Sequence, residues 1–324
     1  MTIFLVKGQL AFADRPPAGD QTRRAPEAPE RGIGKVFRRA YLGAAIALLM
    51  AIPSRAQQAP NNLAAKSIEE LMNIQVTSAS RKEQSLSQVA AAIFVITQED
   101  IRRSGALNIP DLLRLVPGLD VGQINASTWA ITARGFDLQF ANKLLVLIDG
   151  RAVYTPLFGG VYWDTVDVPL EDIERIEVIR GPGGTVWGAN AVNGVINIIT
   201  KSAADTQGGL VTGGGGSEAQ GFGTVQYGGK INEDNKYRVF TKYLSNDHFQ
   251  DLDGQDGNDS WHLLHGGFRV DSTLSPKDSL MTQGDVYNGN EASIITHSVF
   301  FPPDNINVNA MAQVSGGNVL TRWR

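Results

Sequence analysis

Residues 174–201 read ERIEVIRGPGGTVWGANAVNGVINIITK, and this stretch decides the fold. Ile176, Val178 and Ile179 precede the turn-rich run Arg180-Gly181-Pro182-Gly183-Gly184, and Val195 to Ile199 follows the turn signal Asn193-Gly194. Both flanks are rich in β-branched residues and read as strands, with room between them for one helical turn. A strand, a glycine turn and a helix also begin a phosphate loop, and the gap from Gly183 to Gly188 has the right length. Ala189 and Asn190 stand where such a loop needs Lys for the phosphates and Ser or Thr for magnesium, so its chemistry is missing.

Working outward, the whole chain has 324 residues with 42% hydrophobic content, enough for a core and for more than one domain. A net charge of -4 gives no basic surplus of the kind nucleic-acid binders carry, and no nucleic-acid partner is expected. The absence of cysteine excludes disulfides, thiolate metal sites and cysteine nucleophiles. The 35 glycines against 14 prolines point to many turns and close backbone approaches.

Residues 1–56 read as a signal region. Lys35, Arg38 and Arg39 precede the apolar run Ala40 to Ile52, and Ser54-Arg55-Ala56 offers small residues for cleavage, so a signal peptide is expected over about 35–56. The run is shorter than the roughly 20 residues a membrane-spanning helix needs. Its inward position suggests a start codon set too early. Residues 57–79 form a mobile segment: Gln57 to Ala65 is polar, and Ser67 to Met72 carries a capping box for one helical turn. Asn73 to Ala79 alternates as an isolated extended segment without an evident sheet partner, a docking candidate for another protein.

Between Ala91 and Thr200 the pattern is compact α and β. Ile93 to Ile96 reads as a buried strand, Thr97 as the cap of a helix ending at Gly105, and Pro110 to Val116 as a second short helix. Trp129 to Gly135 and Lys143 to Ile148 are further strands, and Asp149-Gly150 is a hairpin turn. After Lys201 helical spacing disappears. Segments of about ten residues alternate in character: Tyr237, Val239 and Tyr243 share one face and Lys236, Arg238 and Lys242 the other, while Val225 and Tyr227 oppose Thr224 and Gln226. Such strands suit a barrel wall with lipid outside; taken alone they suit a soluble sandwich equally.

Most catalytic and metal readings fail. On a strand, His262 and His265 point to opposite faces. The run Asp251, Asp253, Asp256 and Asp259 lacks the Gly and Glu a calcium loop requires and reads as a solvated loop. No nucleophile elbow or supported carboxylate pair is present, so no catalytic residue, cofactor or metal site is assigned and the chain is not read as an enzyme. The loop Tyr154 to Asp164 carries Tyr154, Phe158, Tyr162 and Trp163; each ring alone suits local core, but the loop as a whole suits ligand contact.

Pro117-Gly118-Leu119, Ala133-Arg134-Gly135-Phe136, Val146 to Gly150, Ile179 to Pro182, Trp187 to Ala191 and Gly194 to Lys201, in this order, resemble the plug domain of TonB-dependent outer-membrane receptors. The likeness covers about residues 67–205. It implies an α+β plug domain over 80–205, followed over 206–324 by antiparallel strands of an incomplete transmembrane β-barrel, the family closing about 22 strands around its plug. The last residue is not the terminal aromatic of a finished barrel, so the chain is expected to be a truncated receptor. The implied place is the outer membrane with the plug facing the periplasm. The implied activity is uptake of a scarce nutrient, a ferric siderophore or cobalamin, driven by a TonB-type energy-coupling protein that grips Ile74, Gln75, Val76, Thr77 and Ser78. A non-transporting periplasmic interaction domain is the alternative. The family's two Arg-Gly elements, matched by Arg134 and Arg180, are implied to lock the plug through barrel glutamates on wall strands this chain lacks. The plug loops are implied to form the ligand floor, which assigns Gln123, Trp129, Tyr154, Phe158, Tyr162 and Trp163. Trp187 and Gly184 depart mildly from the pattern, standing where Tyr and a small polar residue are usual.

Overall fold

The computed structural model describes residues 5–6, 9–11, 75–76, 84–85, 92–135, 138–155, 159–250, 253–301 and 303–324. The expected signal peptide, the 67–72 helix, and Ile74, Thr77, Ser78, Phe136, Phe158 and Asp251 lie outside these residues. An α/β domain comes first. Its strands are β1 (Ile93–Thr97), β2 (Leu119–Gln123), β3 (Trp129–Ala133), β4 (Leu144–Ile148), β5 (Arg151–Ala152), β6 (Ile173–Arg180) and β7 (Gly194–Thr200). The main sheet has the order β1-β6-β7-β4-β5, and β2 pairs with β3 apart from it. As residues 174–201 require, β6 and β7 are antiparallel neighbours, from Arg175↔Ile199 to Arg180↔Gly194. A Cβ at Gly194 would stand 2.5 Å from the Ile179 carbonyl oxygen, so only glycine lets the two strands approach there. The turn between them is the single-turn helix Gly184–Trp187.

Each face of the main sheet has its own apolar layer, which explains why β7 is apolar on both faces, interrupted within by the buried Asn197, rather than alternating. Ile176, Val178, Ile196 and Ile198 join the larger cluster, and Ile179, Val195, Leu145 and Leu147 form the smaller one. The helices α1 (Gln98–Ser104) and α2 (Ile109–Leu113) start where their caps stand. Thr97 and Asp100 make a reciprocal capping box, and the Asn108 side chain accepts from Asp111 N. Gly105 at φ 70° ends α1. Two details differ from expectation. In β1 only Ile96 is fully buried, because β1 is an edge strand. Helix α2 stops at Leu113, where Arg114 N turns back to the Asp111 carbonyl.

After a short turn at Ala203–Thr206, six strands form an antiparallel meander: β8 (Gly208–Gly214), β9 (Ala219–Lys230), β10 (Asn235–Asn246), β11 (Trp261–Thr273), β12 (Ser279–Phe300) and β13 (Pro303–Trp323). Leu5–Val6 and Gln9–Ala11 pair along the far edge of β13. The alternation reads directly in the burial: Val225 and Tyr227 are 59% and 54% exposed, whereas Thr224 and Gln226 are 4% and 6% exposed. A soluble sandwich would bury the apolar face; here the polar face is the covered one, packed on the α/β domain. The outer face runs in rows. Tyr227, Val239 and Phe268 share one, and Val211, Val225 and Val286 another. At one end stands Trp323, level with Ser272 through Leu280; at the other the face turns polar at His262, hydrogen-bonded to Asn290 at 3.2 Å. Between Ser272 and His262 the strand covers about 33 Å, or about 25 Å after the usual tilt, the height of a lipid-facing band. No described helix is long and apolar enough to cross a membrane.

The segment expected to be an isolated strand has a partner. Gln75–Val76 pairs antiparallel with Gln84–Ser85, and Val76 is fully buried. Two-residue strands leave no periodic signal, so the sequence does not reveal the pairing.

Candidate functional site

The inner face of the wall carries charge, and the α/β domain answers it residue by residue. Arg238 on β10, 3% exposed, lies 3.1 Å from Asp172 and donates to the Lys201 carbonyl at 3.0 Å. Two alternations later, Lys242 pairs with Asp167. The Asp167 carbonyl meets His265 Nδ1 at 2.6 Å, and the other ring nitrogen stands 3.3 Å from Asp285. Arg269 forks onto Asp271 and donates to Thr200 Oγ1 at 2.8 Å. Buried charges persist only when paired in this way. Sequence reading placed Arg238 and Lys242 on a polar face without showing that this face is dry.

Asp149 has two roles. At φ 48°, followed by Gly150 at φ 78°, it forms the β4–β5 turn, whose two positive φ angles suit a tight hairpin. Its buried carboxylate accepts from Thr200 N (3.0 Å), Thr200 Oγ1 (2.7 Å) and Gln283 Nε2 on the wall (2.9 Å). Burial pushes the Asp172 carboxyl up against the opposing pull of Arg238, and pushes the Lys201 ammonium down against Asp172. Asp164 is also raised by burial, with a hydrogen bond to Glu291 of the wall acting the other way.

In the acidic run after Asp251, Asp253 and Asp256 are exposed, as a solvated loop requires, and Asp259 is the exception. Asp259 is 5% exposed and accepts two backbone N–H groups, from Ala126 and from Phe249, each at 2.8 Å. His262 is exposed on the outer face and His265 buried on the inner one. Among the described residues no group of three or more His, Asp or Glu is placed to hold a metal ion.

Arg134 and Arg180 are brought together. Arg134 takes a left-handed backbone (φ 62°), a conformation that costs an L-residue roughly 1 kcal/mol or more. It donates to the Arg180 carbonyl at 3.2 Å, and Arg180 donates to the Pro117 carbonyl at 2.7 Å. Both are backbone contacts, and Arg180 Nε has no hydrogen-bond partner among the described residues.

The aromatic candidates divide into two groups. Gln123 ends β2 and lines a cavity of about 100 Å³ with Asn108, Asp111, Glu218, Asn246 and Asp247. Trp129 is 2% exposed and meets Trp261 of the wall edge-on, with centroids 6.2 Å apart. Tyr162 is half-buried against Phe140, Trp163 belongs to the core, and Tyr154 packs partly against it with its hydroxyl buried, raised by desolvation. Trp261 and Glu291 are register partners, so Trp129 and Asp164 reach the wall on one row. Sequence reading missed Asp259, Trp261 and Glu291, whose roles arise only from pairings more than a hundred residues apart.

Comparison with known proteins agrees with this architecture. A family model described as TonB-dependent Receptor Plug Domain matches residues 85–195. The chain is 38% identical over 147 residues to the vitamin B12 transporter BtuB of Vibrio vulnificus (strain CMCP6), covering 45% of this chain and 23% of that protein. It is 36% identical over 165 residues to the BtuB of Photobacterium profundum, covering 50% and 26%. The chain thus spans about a quarter of the length of these curated relatives. Among solved structures, the ferripyoverdine receptor of the outer membrane of Pseudomonas aeruginosa superposes with a TM-score of 0.55 at 17% identity, over 76% of this chain and 34% of that one, a likeness of fold.

Proposed function

We propose that this chain, whose residues 85–195 match the TonB-dependent receptor plug domain, is part of an outer-membrane receptor of that family and serves energy-coupled uptake of a scarce nutrient of the cobalamin or ferric siderophore class. The observation that carries the reading is the α/β plug seated on the charged inner face of a wall whose outer face is an apolar band. A free periplasmic interaction domain would gain nothing from exposing Val225, Tyr227, Val239 and Phe268. In this reading Ile74 to Ser78 is the segment gripped by a TonB-type coupling protein. The ribbon Gln75–Val76 with Gln84–Ser85 must then open, or accept a further strand, when the coupling protein docks. Gln123, Trp129, Tyr154, Phe158, Tyr162 and Trp163 mark the ligand floor, and Arg134 with Arg180 is the lock. The buried positions of Trp129 and Trp163 favour shaping the floor from below, leaving direct contact to Gln123 and Tyr162.

The reading is tested by binding and cellular uptake of labelled vitamin B12 and of a ferric siderophore, with Val76→Pro as the diagnostic variant. Proline removes a strand donor, so uptake is expected to fall to the level of cells without coupling protein while binding is retained. Uptake unchanged in the variant would exclude this segment as the coupling site.

A further inference from the structure

The loop Ile124–Thr128 joins β2 to β3 in a tight turn in which Ile124 N donates to the Thr128 carbonyl at 2.8 Å. Ala126 sits at its tip, and both of its backbone polar groups are taken by the wall. Ala126 N donates to Asp259 Oδ2 at 2.8 Å, and Trp261 Nε1 donates to the Ala126 carbonyl at 2.7 Å. The Trp261 ring then meets Trp129 at the foot of the same loop. Ala126, Trp129, Trp261 and Asp259 are all at most 5% exposed. The second Asp259 oxygen accepts from Phe249 N at 2.8 Å. One buried carboxylate therefore fixes two segments: the plug tip and the wall segment 247–250 that follows β10. Hydrogen bonds to a carboxylate are stronger than those between neutral groups, and the two made by Ala126 are buried.

We propose that Asp259 and Trp261 are positioning residues of the ligand floor: the plug tip 124–128 takes its place from the wall residues Asp259 and Trp261 and moves as one unit with the segment 247–250 that Asp259 also holds. This rests on the reading of the tip as part of that floor. Ile124 is 57% exposed beside the clamp, so a ligand seated on it bears on both clamped segments at once.

Hydrogen exchange followed by mass spectrometry on the full chain tests this, with Asp259→Ala, Asp259→Asn and Trp261→Phe. Asp259→Ala is expected to speed exchange roughly tenfold or more in peptides covering both 124–128 and 247–250, while β6 and β7 keep their protection. Asp259→Asn keeps one oxygen acceptor and should fall between. Loosening of one segment without the other, or of neither, overturns the proposal. If Asp259→Ala also loses protection in β6 and β7, Trp261→Phe decides: faster exchange at 124–128 supports the clamp, and unchanged exchange refutes it. Vitamin B12 added to the parent chain should protect both segments together. No protection by vitamin B12 would count against the ligand reading alone, because the variants judge the clamp without ligand.

Discussion

The two sides of the plug are held by different physics. On the side facing β10 to β12, Asp172, Asp167, Asp149 and Thr200 meet Arg238, Lys242, Gln283 and Arg269 in a dry seam of side-chain pairs. On the side of Arg134 and Arg180 the guanidinium groups reach, among the described residues, only backbone carbonyls of the plug itself. A buried charge pair is costly to break from one end, whereas a single hydrogen bond from an exposed Arg134 or a half-buried Arg180 to a carbonyl is worth less. The contrast separates the side of the plug that β10 to β12 cover, held by side-chain pairs, from the side where the contacts of Arg134 and Arg180 stay within the plug.

The largest effect should come from breaking the seam. Asp172→Ala leaves Arg238 buried without its anion and is expected to destabilise plug docking by about 3–5 kcal/mol, measured by denaturant unfolding of the plug. A change below about 1 kcal/mol would mean that the seam is wet. A smaller effect follows from Asp164. Burial raises its folded pKa above the unfolded value, so its stabilising contribution is complete below the ordinary carboxylate range and is lost as pH rises through the folded value. Plug stability should therefore decline with rising pH in the parent, and Asp164→Asn, which mimics the protonated form, should flatten that slope. An identical slope in both proteins would place the titration elsewhere. The smallest stability effect is expected on the other side: Arg134→Ala and Arg180→Ala should each cost about 1 kcal/mol or less in the same unfolding measurement. A loss comparable to that of Asp172→Ala would erase the distinction between the two sides.

Much of the α/β domain was legible because its signals are local. The Thr97 capping box, the Asp149-Gly150 turn and the paired β-branched runs of β6 and β7 are each written within a few residues. The wall was legible only as alternation: Val225 and Tyr227 against Thr224 and Gln226 fixed two faces but not which was dry. The site was least legible. Asp259 looked like one more acid in a polar loop, and Asp149 like a turn residue, because their partners Ala126 and Gln283 are 133 and 134 positions away. A single strand's pattern carries no information about pairing at that distance. Val76 shows the opposite limit, since its partner Gln84 is close in sequence but the ribbon is too short to have a period.

The central claim, a plug docked on the dry inner face of a lipid-facing wall, is tested most directly by single cysteines in this cysteine-free chain. Val225→Cys, Gln226→Cys, Tyr227→Cys and Val239→Cys would each carry an environment-sensitive fluorophore in outer-membrane vesicles, read by quenching from lipid-borne and aqueous quenchers. The account predicts that positions 225, 227 and 239 are quenched from the lipid and position 226 is shielded from both phases. Equal quenching at 225 and 226, or aqueous quenching at 225, 227 and 239, would contradict it.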